Sequence, residues 1–222
     1  QNLAGLGDAP ATPHGTAIAS LLVGKDGDFT GYLPGAALFA ADVFGGQAGG
    51  GGALEIARAL DWLAANDVAV VNISLTGPDN KLLERAVRGF LARGGIVVAA
   101  VGNGGPAAPA SYPAAYAGVV GVSSVDQDRH LEIDASRHAA TFVALGVDVR
   151  AARPERGYGA FTGTSFAAPA VAARFALLLG HPDPAAAQRA LLMLQKAALH
   201  LNANAAAIGY GYLAPPIVPA SD

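Results

Sequence analysis

Apolar residues recur along this chain in two alternating rhythms. Short unbroken runs of small and β-branched residues give way to longer stretches with apolar positions three and four apart. The runs at residues 36–44, 68–75, 96–101, 119–125 and 142–149 read as strands. Between and after them, residues 53–66, 81–93, 165–179 and 184–199 read as helices. In the first helix Ala53, Ile56, Ala57, Leu60 and Leu63 share one face; in the second Leu82, Leu83, Ala86, Val87, Phe90 and Leu91 do, and Gly94-Gly95 ends it. The strands are almost uniformly apolar, as strands covered on both sides must be. The pattern therefore predicts an α/β fold, a mostly parallel sheet with helices on both faces.

Composition narrows the picture. A chain of 222 residues that is 52% hydrophobic can bury one large core without staples. One domain is expected over residues 1–213, followed by a Pro-rich tail at 214–222. Net charge is −3, from 14 basic and 17 acidic residues with no block of either sign, which argues against a nucleic-acid surface. There is no cysteine, hence no disulfide or thiolate chemistry. The longest apolar stretch, 166–180, is broken by Pro169 and Arg174 and falls short of the roughly 20 residues a spanning helix needs. No membrane segment is expected, and residues 1–13 show neither the basic start nor the apolar run of a signal peptide.

Three segments carry candidate chemistry. Gly163-Thr164-Ser165-Phe166-Ala167-Ala168-Pro169 places a hydroxyl at a helix start, where free N–H groups and the helix dipole favour a developing anion. His14-Gly15-Thr16 offers an imidazole at the start of another helix, the usual base for such a hydroxyl. An amide follows a buried strand in Val101-Gly102-Asn103-Gly104-Gly105, and an Asn so placed can donate N–H to an oxyanion. Taken singly, each has a plainer reading: a helix cap for Ser165 and His14, an Asn-Gly turn for Asn103. The glycines Gly49, Gly50, Gly51 and Gly52 join a strand to a helix, and loops after strands form the ligand crevice of an open parallel sheet.

In this order the three segments resemble the subtilisin-like serine proteases, over a span from His14 nearly to Leu213. The resemblance implies a three-layer α/β domain that hydrolyses peptide bonds through an acyl-enzyme. Ser165 would be the nucleophile, His14 the general base, and Asn103 the oxyanion donor, assisted by Thr164. It also places Gly49, Gly50, Gly51, Ser74, Leu75, Thr76 and Gly102 along an extended polypeptide substrate held by backbone pairing. Because neither stretch carries a charge, a mainly apolar peptide with large side chains is expected. No cofactor is required for the chemistry, no metal ligands are assigned, and structural calcium is compatible with the family without a placeable site. The family suggests a secreted or periplasmic location.

One member of the triad is missing. The family order is Asp, His, Ser, with the aspartate on a first strand well ahead of the histidine, and Asp8 sits instead in the loop that resembles the one just before His14. The sheet is therefore expected to lack its first strand. The acid is expected on an associated segment ahead of Gln1, removed by processing or otherwise outside this chain, unless the protein works without it. Phe166, Thr76 and Ala170 replace the family's usual Met, Gly and His. Those departures keep open a second reading, a catalytically inactive subtilase-like peptide-binding domain. Two further readings are weaker. His130, Glu132, Asp134 and His138 lack metal-ligand spacing. The glycines near Asn103 lack the last Gly of the dinucleotide fingerprint.

Overall fold

The computed structural model describes residues 11–45 and 51–217. After a short antiparallel pair, β1 (Lys25–Asp26) with β2 (Phe29–Thr30), comes a central four-stranded parallel sheet formed by β3 (Val70–Ile73), β4 (Ile96–Ala100), β5 (Val120–Val125) and β6 (Phe142–Leu145), in that order. Every residue of β4 and β5 is buried. Successive side chains of a strand point to opposite faces, and β4 shows what lies on each. Val97, Ala99 and Val101 join the core under α2 (Ala53–Ala65) and α3 (Lys81–Ala92), which contributes Leu60, Leu63, Val87 and Phe90. Ile96 and Val98 face the opposite way, against α4 (Thr164–Ala176) and α5 (Pro184–Ala197), with Phe142, Val171, Phe175 and Leu194. Helices cover both faces, which is why the strands read as unbroken apolar runs.

The helix that carries the candidate base packs on the end of this body. In α1 (Pro13–Val23), Ala17 and Leu21 are buried against Phe166 of α4 and against Val149 and Ala151. Thr12 caps its start by accepting the Gly15 N–H at 3.1 Å, and Pro13 occupies the first helical position. Because α1 and the first turn of α4 share one apolar cluster, the two helix N-termini are held side by side.

Two expected strands turn out differently. Residues 142–149 divide: β6 ends at Leu145, the chain turns at Gly146, and β7 (Val149–Ala152) leaves the sheet to pair antiparallel with β8 (Tyr158–Phe161). Buried apolar residues on either side, Phe142–Ala144 and Val149, hid a turn that Gly146 and the exposed, positive-φ Asp148 allow. Residues 36–44 form no strand, only a single bridge at Asp42. A cavity of about 740 Å³ separates this stretch from the central sheet. Its other wall is the edge of β3, which among the described residues has one ladder partner, β4. Leu38 and Phe39 on this wall stay 41% and 40% exposed. Toward the C-terminus Leu213 is buried, Ala214 accepts a hydrogen bond from Arg174 Nε at 2.8 Å, and 218–222 of the expected tail lie outside the described residues.

Candidate active site

Ser165 is the second residue of α4, where a backbone N–H has no intrahelical acceptor. The helix can begin here because Gly163 takes φ 137°, a conformation closed to other residues, and because a side chain at Gly163 would press on Asn103 Nδ2 at 2.7 Å. Glycine thus lets the helix start approach the amide directly. The Ser165 hydroxyl donates a long hydrogen bond of 3.4 Å to the Ser74 carbonyl, just beyond β3. Ser74 Oγ in turn donates to the Ser165 carbonyl at 2.9 Å and accepts from Asn72 Nδ2 at 3.0 Å. The hydroxyl is held weakly while its backbone is held well, so Oγ is free to turn toward a base.

Asn103 is oriented from behind. The Thr164 N–H donates to its Oδ1 at 3.0 Å, and an N–H can pair only with the amide oxygen. The Nδ2 group is thereby turned away, on a residue that is itself exposed. Thr164 is fully buried, and its Oγ1 accepts the Gly102 N–H at 3.1 Å. These two bonds lock the loop after β4 to the first turn of α4. The result is an amide donor and a helix N-terminus converging beside Ser165, a geometry suited to stabilising negative charge on an acyl oxygen.

His14 approaches from α1, its ring edge-on to Phe166 with 5.5 Å between centroids. Among the described residues no hydrogen bond joins His14 to Ser165. The protein packed beneath the imidazole desolvates it and lowers its pKa, although one side remains open to water. The sign is definite. Above its ordinary value near 6.5 the ring is neutral whether folded or unfolded. As pH falls below that value the unfolded chain binds the proton more readily, so stability drops toward the lower folded pKa. In an NMR titration the His14 ring is therefore expected to titrate below 6.5, and a midpoint above that value would contradict the packing.

A family model described as the subtilase family matches residues 7–211, which is most of the chain. This protein is a subtilase. It is 38% identical over 170 residues to Subtilisin Savinase from Lederbergia lenta, an alignment that covers 74% of this chain and 62% of that protein. It is 34% identical to the Major intracellular serine protease of Bacillus subtilis strain 168, covering 77% of this chain and 56% of the relative. The chain thus spans about three-fifths of the length of these relatives. Among solved structures, the prenylagaramide maturation protease PagA superposes with a TM-score of 0.82 at 26% identity, over 96% of this chain and 82% of that one. The subtilisin-like α/β architecture expected from the sequence is therefore present.

The remaining residues singled out from the sequence divide into those the structure brings together and those it does not. Ser74, Leu75 and Thr76 run from β3 past Ser165, and Gly77 pairs with Tyr112 through two backbone bonds of 2.9 and 3.0 Å. Gly102 lies against Thr76. Gly51 packs against the Phe44 ring, and its N–H donates to the Val43 carbonyl at 2.9 Å. Gly49 and Gly50 lie outside the described residues, as does Asp8. His130 pairs with Asp126 at 3.3 Å, and Glu132 turns inward to accept from Ser124 Oγ and the Asp134 N–H. Those side chains serve their own loop, and no group of three or more potential metal ligands occurs among the described residues. No helix of the described residues is long and apolar enough to cross a membrane. Sequence reasoning missed Ser111 and Ser136, which carry no local motif and come near Gly102 only through the fold.

Proposed function

We propose that this subtilase is a serine endopeptidase in which Ser165 Oγ attacks the scissile carbonyl. The reading rests on the locked cradle of Gly102, Asn103 and Thr164 around the start of α4. His14 takes the Ser165 proton; Asn103 Nδ2 and the Ser165 N–H stabilise the oxyanion; Thr164, sealed in the interior, acts by positioning Asn103. As the tetrahedral adduct collapses the C–N bond breaks and His14 returns the proton to the leaving amine. Water, activated by the same imidazole, then hydrolyses the acyl ester.

The acid that orients His14 belongs, on this reading, at the end of a strand in the trough between β3 and residues 36–44. A strand residue occupies roughly 3.3 by 4.8 by 10 Å, about 160 Å³. The cavity of about 740 Å³ has room for a short strand. Asn72 lines it, and its Oδ1 is sealed from solvent without a hydrogen-bond partner, an acceptor awaiting a donor. A strand running parallel to β3 would end beside Ser74 and His14, placing a terminal aspartate next to the imidazole. A segment ahead of Gln1 is its proposed source. Labelling by a fluorophosphonate tests both statements. The protein is expected to label at Ser165, with the rate rising when a five-residue apolar peptide ending in Asp is added. The same peptide ending in Asn should fall short by up to about 10⁴-fold. Equal rates with the two peptides would remove the trough assignment, and absence of labelling under every condition would favour the inactive peptide-binding domain.

A further inference from the structure

Asn103 is followed by Gly104, the only Asn-Gly pair in the chain. The glycine has a packing reason. A side chain at Gly104 would press on Ala108 Cβ at 2.8 Å, because the loop folds back here, the Ala108 N–H donating to the Gly105 carbonyl at 3.2 Å. What the fold demands sterically it leaves open chemically. Asn103 and Gly104 are both exposed, and among the described residues the Gly104 N–H has no hydrogen-bond acceptor. An unpaired, unhindered amide nitrogen thus stands next in sequence to a carboxamide, near enough to close an imide ring on it.

The carboxamide is prepared for that attack. The Thr164 N–H donates to Asn103 Oδ1 at 3.0 Å from the first turn of α4, so charge gathering on this oxygen meets a hydrogen bond and the positive end of a helix. The helix start that would serve a substrate's oxyanion also serves one on Asn103 itself. Asn66 offers the contrast. It is equally exposed, but its Nδ2 donates to the Trp62 carbonyl at 2.8 Å and the following Asp67 N–H donates to the Ala64 carbonyl at 3.3 Å.

We propose that Asn103 is a self-modification site, at which the oxyanion donor is converted to aspartate and isoaspartate. The Gly104 nitrogen attacks Asn103 Cγ, and the new N–Cγ bond forms as the Cγ–Nδ2 bond breaks. The Gly104 amide proton passes through water to the departing nitrogen, which is released as ammonia. Water then opens the succinimide at either carbonyl, its hydroxyl going to the carbon and its proton to the nitrogen. No oxidant and no reactant besides water is consumed. Either product has lost the Nδ2 donor and carries a carboxylate. The modification stands apart from the peptidase reading; its consequence, an enzyme that limits its own working life, rests on that reading.

Two readouts on one incubation at mildly alkaline pH test it: peptide mapping of Asn103 by mass and fluorophosphonate labelling of Ser165. Aspartate and isoaspartate are expected at Asn103 while Asn66 stays an amide, and conversion should quicken as pH rises. The folded rate should lie within about tenfold of that in the urea-denatured chain, since no local opening must come first. Labelling, normalised to its starting value, should fall in step. Combining Gly104→Ala with Ala108→Gly, which makes room for the added methyl, should slow conversion about tenfold or more by narrowing the torsions that ring closure needs. An intact Asn103 after the denatured chain has converted, conversion no faster than at Asn66, or an unchanged rate in the paired variant would each overturn the assignment. Conversion with labelling undiminished keeps the modification and removes Asn103 from the oxyanion role. Absence of labelling throughout removes the peptidase reading and leaves the mass readout to decide the modification.

Discussion

Replacing Ser165 with alanine is expected to lower kcat by about 10⁶-fold, a magnitude that comes from the relative subtilisin, while leaving the fold intact. The two halves of that expectation have different physical causes. On the proposed reading, catalysis disappears because Ser165 Oγ is the oxygen that attacks the scissile carbonyl. Stability is kept because the hydroxyl makes only the 3.4 Å bond to the Ser74 carbonyl. The stronger tie in the same place runs from Ser74 Oγ to the Ser165 backbone carbonyl and survives the substitution. Alanine is also the better helix former at this position. Steady-state kinetics and a thermal melt, run together on the two proteins, check both halves. Residual activity within a hundredfold of the parent would show that the nucleophile lies elsewhere.

The second large effect belongs to Asn103, where aspartate separates architecture from chemistry better than alanine does. Aspartate keeps an oxygen where the Thr164 N–H donates at 3.0 Å, so the lock between the β4 loop and α4 persists and gains charge assistance. What changes is the outward group: a donor becomes an acceptor facing the developing oxyanion. Loss of such a donor costs on the order of 3 kcal/mol in subtilisin, or 10² to 10³ in kcat. The negative charge should push the loss beyond 10³-fold, with KM and thermal stability little altered. A variant that keeps a tenth of the parental kcat would exclude Asn103 as the oxyanion donor. A large fall in stability would mean that its main service is structural.

Much of this architecture was legible in the chain itself. Helical periodicity located α2, α3, α4 and α5 to within a few residues, because an amphipathic face repeats over distances shorter than a helix. Unbroken apolar runs announced a parallel sheet covered twice, because only burial on both faces tolerates them. The three segments around His14, Asn103 and Ser165 were visible as local motifs, since caps, glycines and helix starts are written within a few neighbouring positions. Thr164 was singled out as well, but only the structure shows it buried, its hydroxyl accepting from Gly102 and its N–H holding the amide.

Legible along the chain, then, were the helices α2 to α5, the strands β3 to β5 and the residue types at their ends, all governed by hydrogen bonds and burial along one short stretch of chain. Tertiary structure decided which of those ends meet. Ser74 and Ser165 pair across 91 positions and Asn103 and Thr164 across 61, contacts that no local pattern encodes. It also decided that residues 36–44, strand-like in composition, remain outside the ladder, because a strand exists only with a partner edge and a cavity of about 740 Å³ separates this stretch from β3. Ser111 and Ser136 make the same point: each is an ordinary serine in a loop until the fold brings both within reach of Gly102.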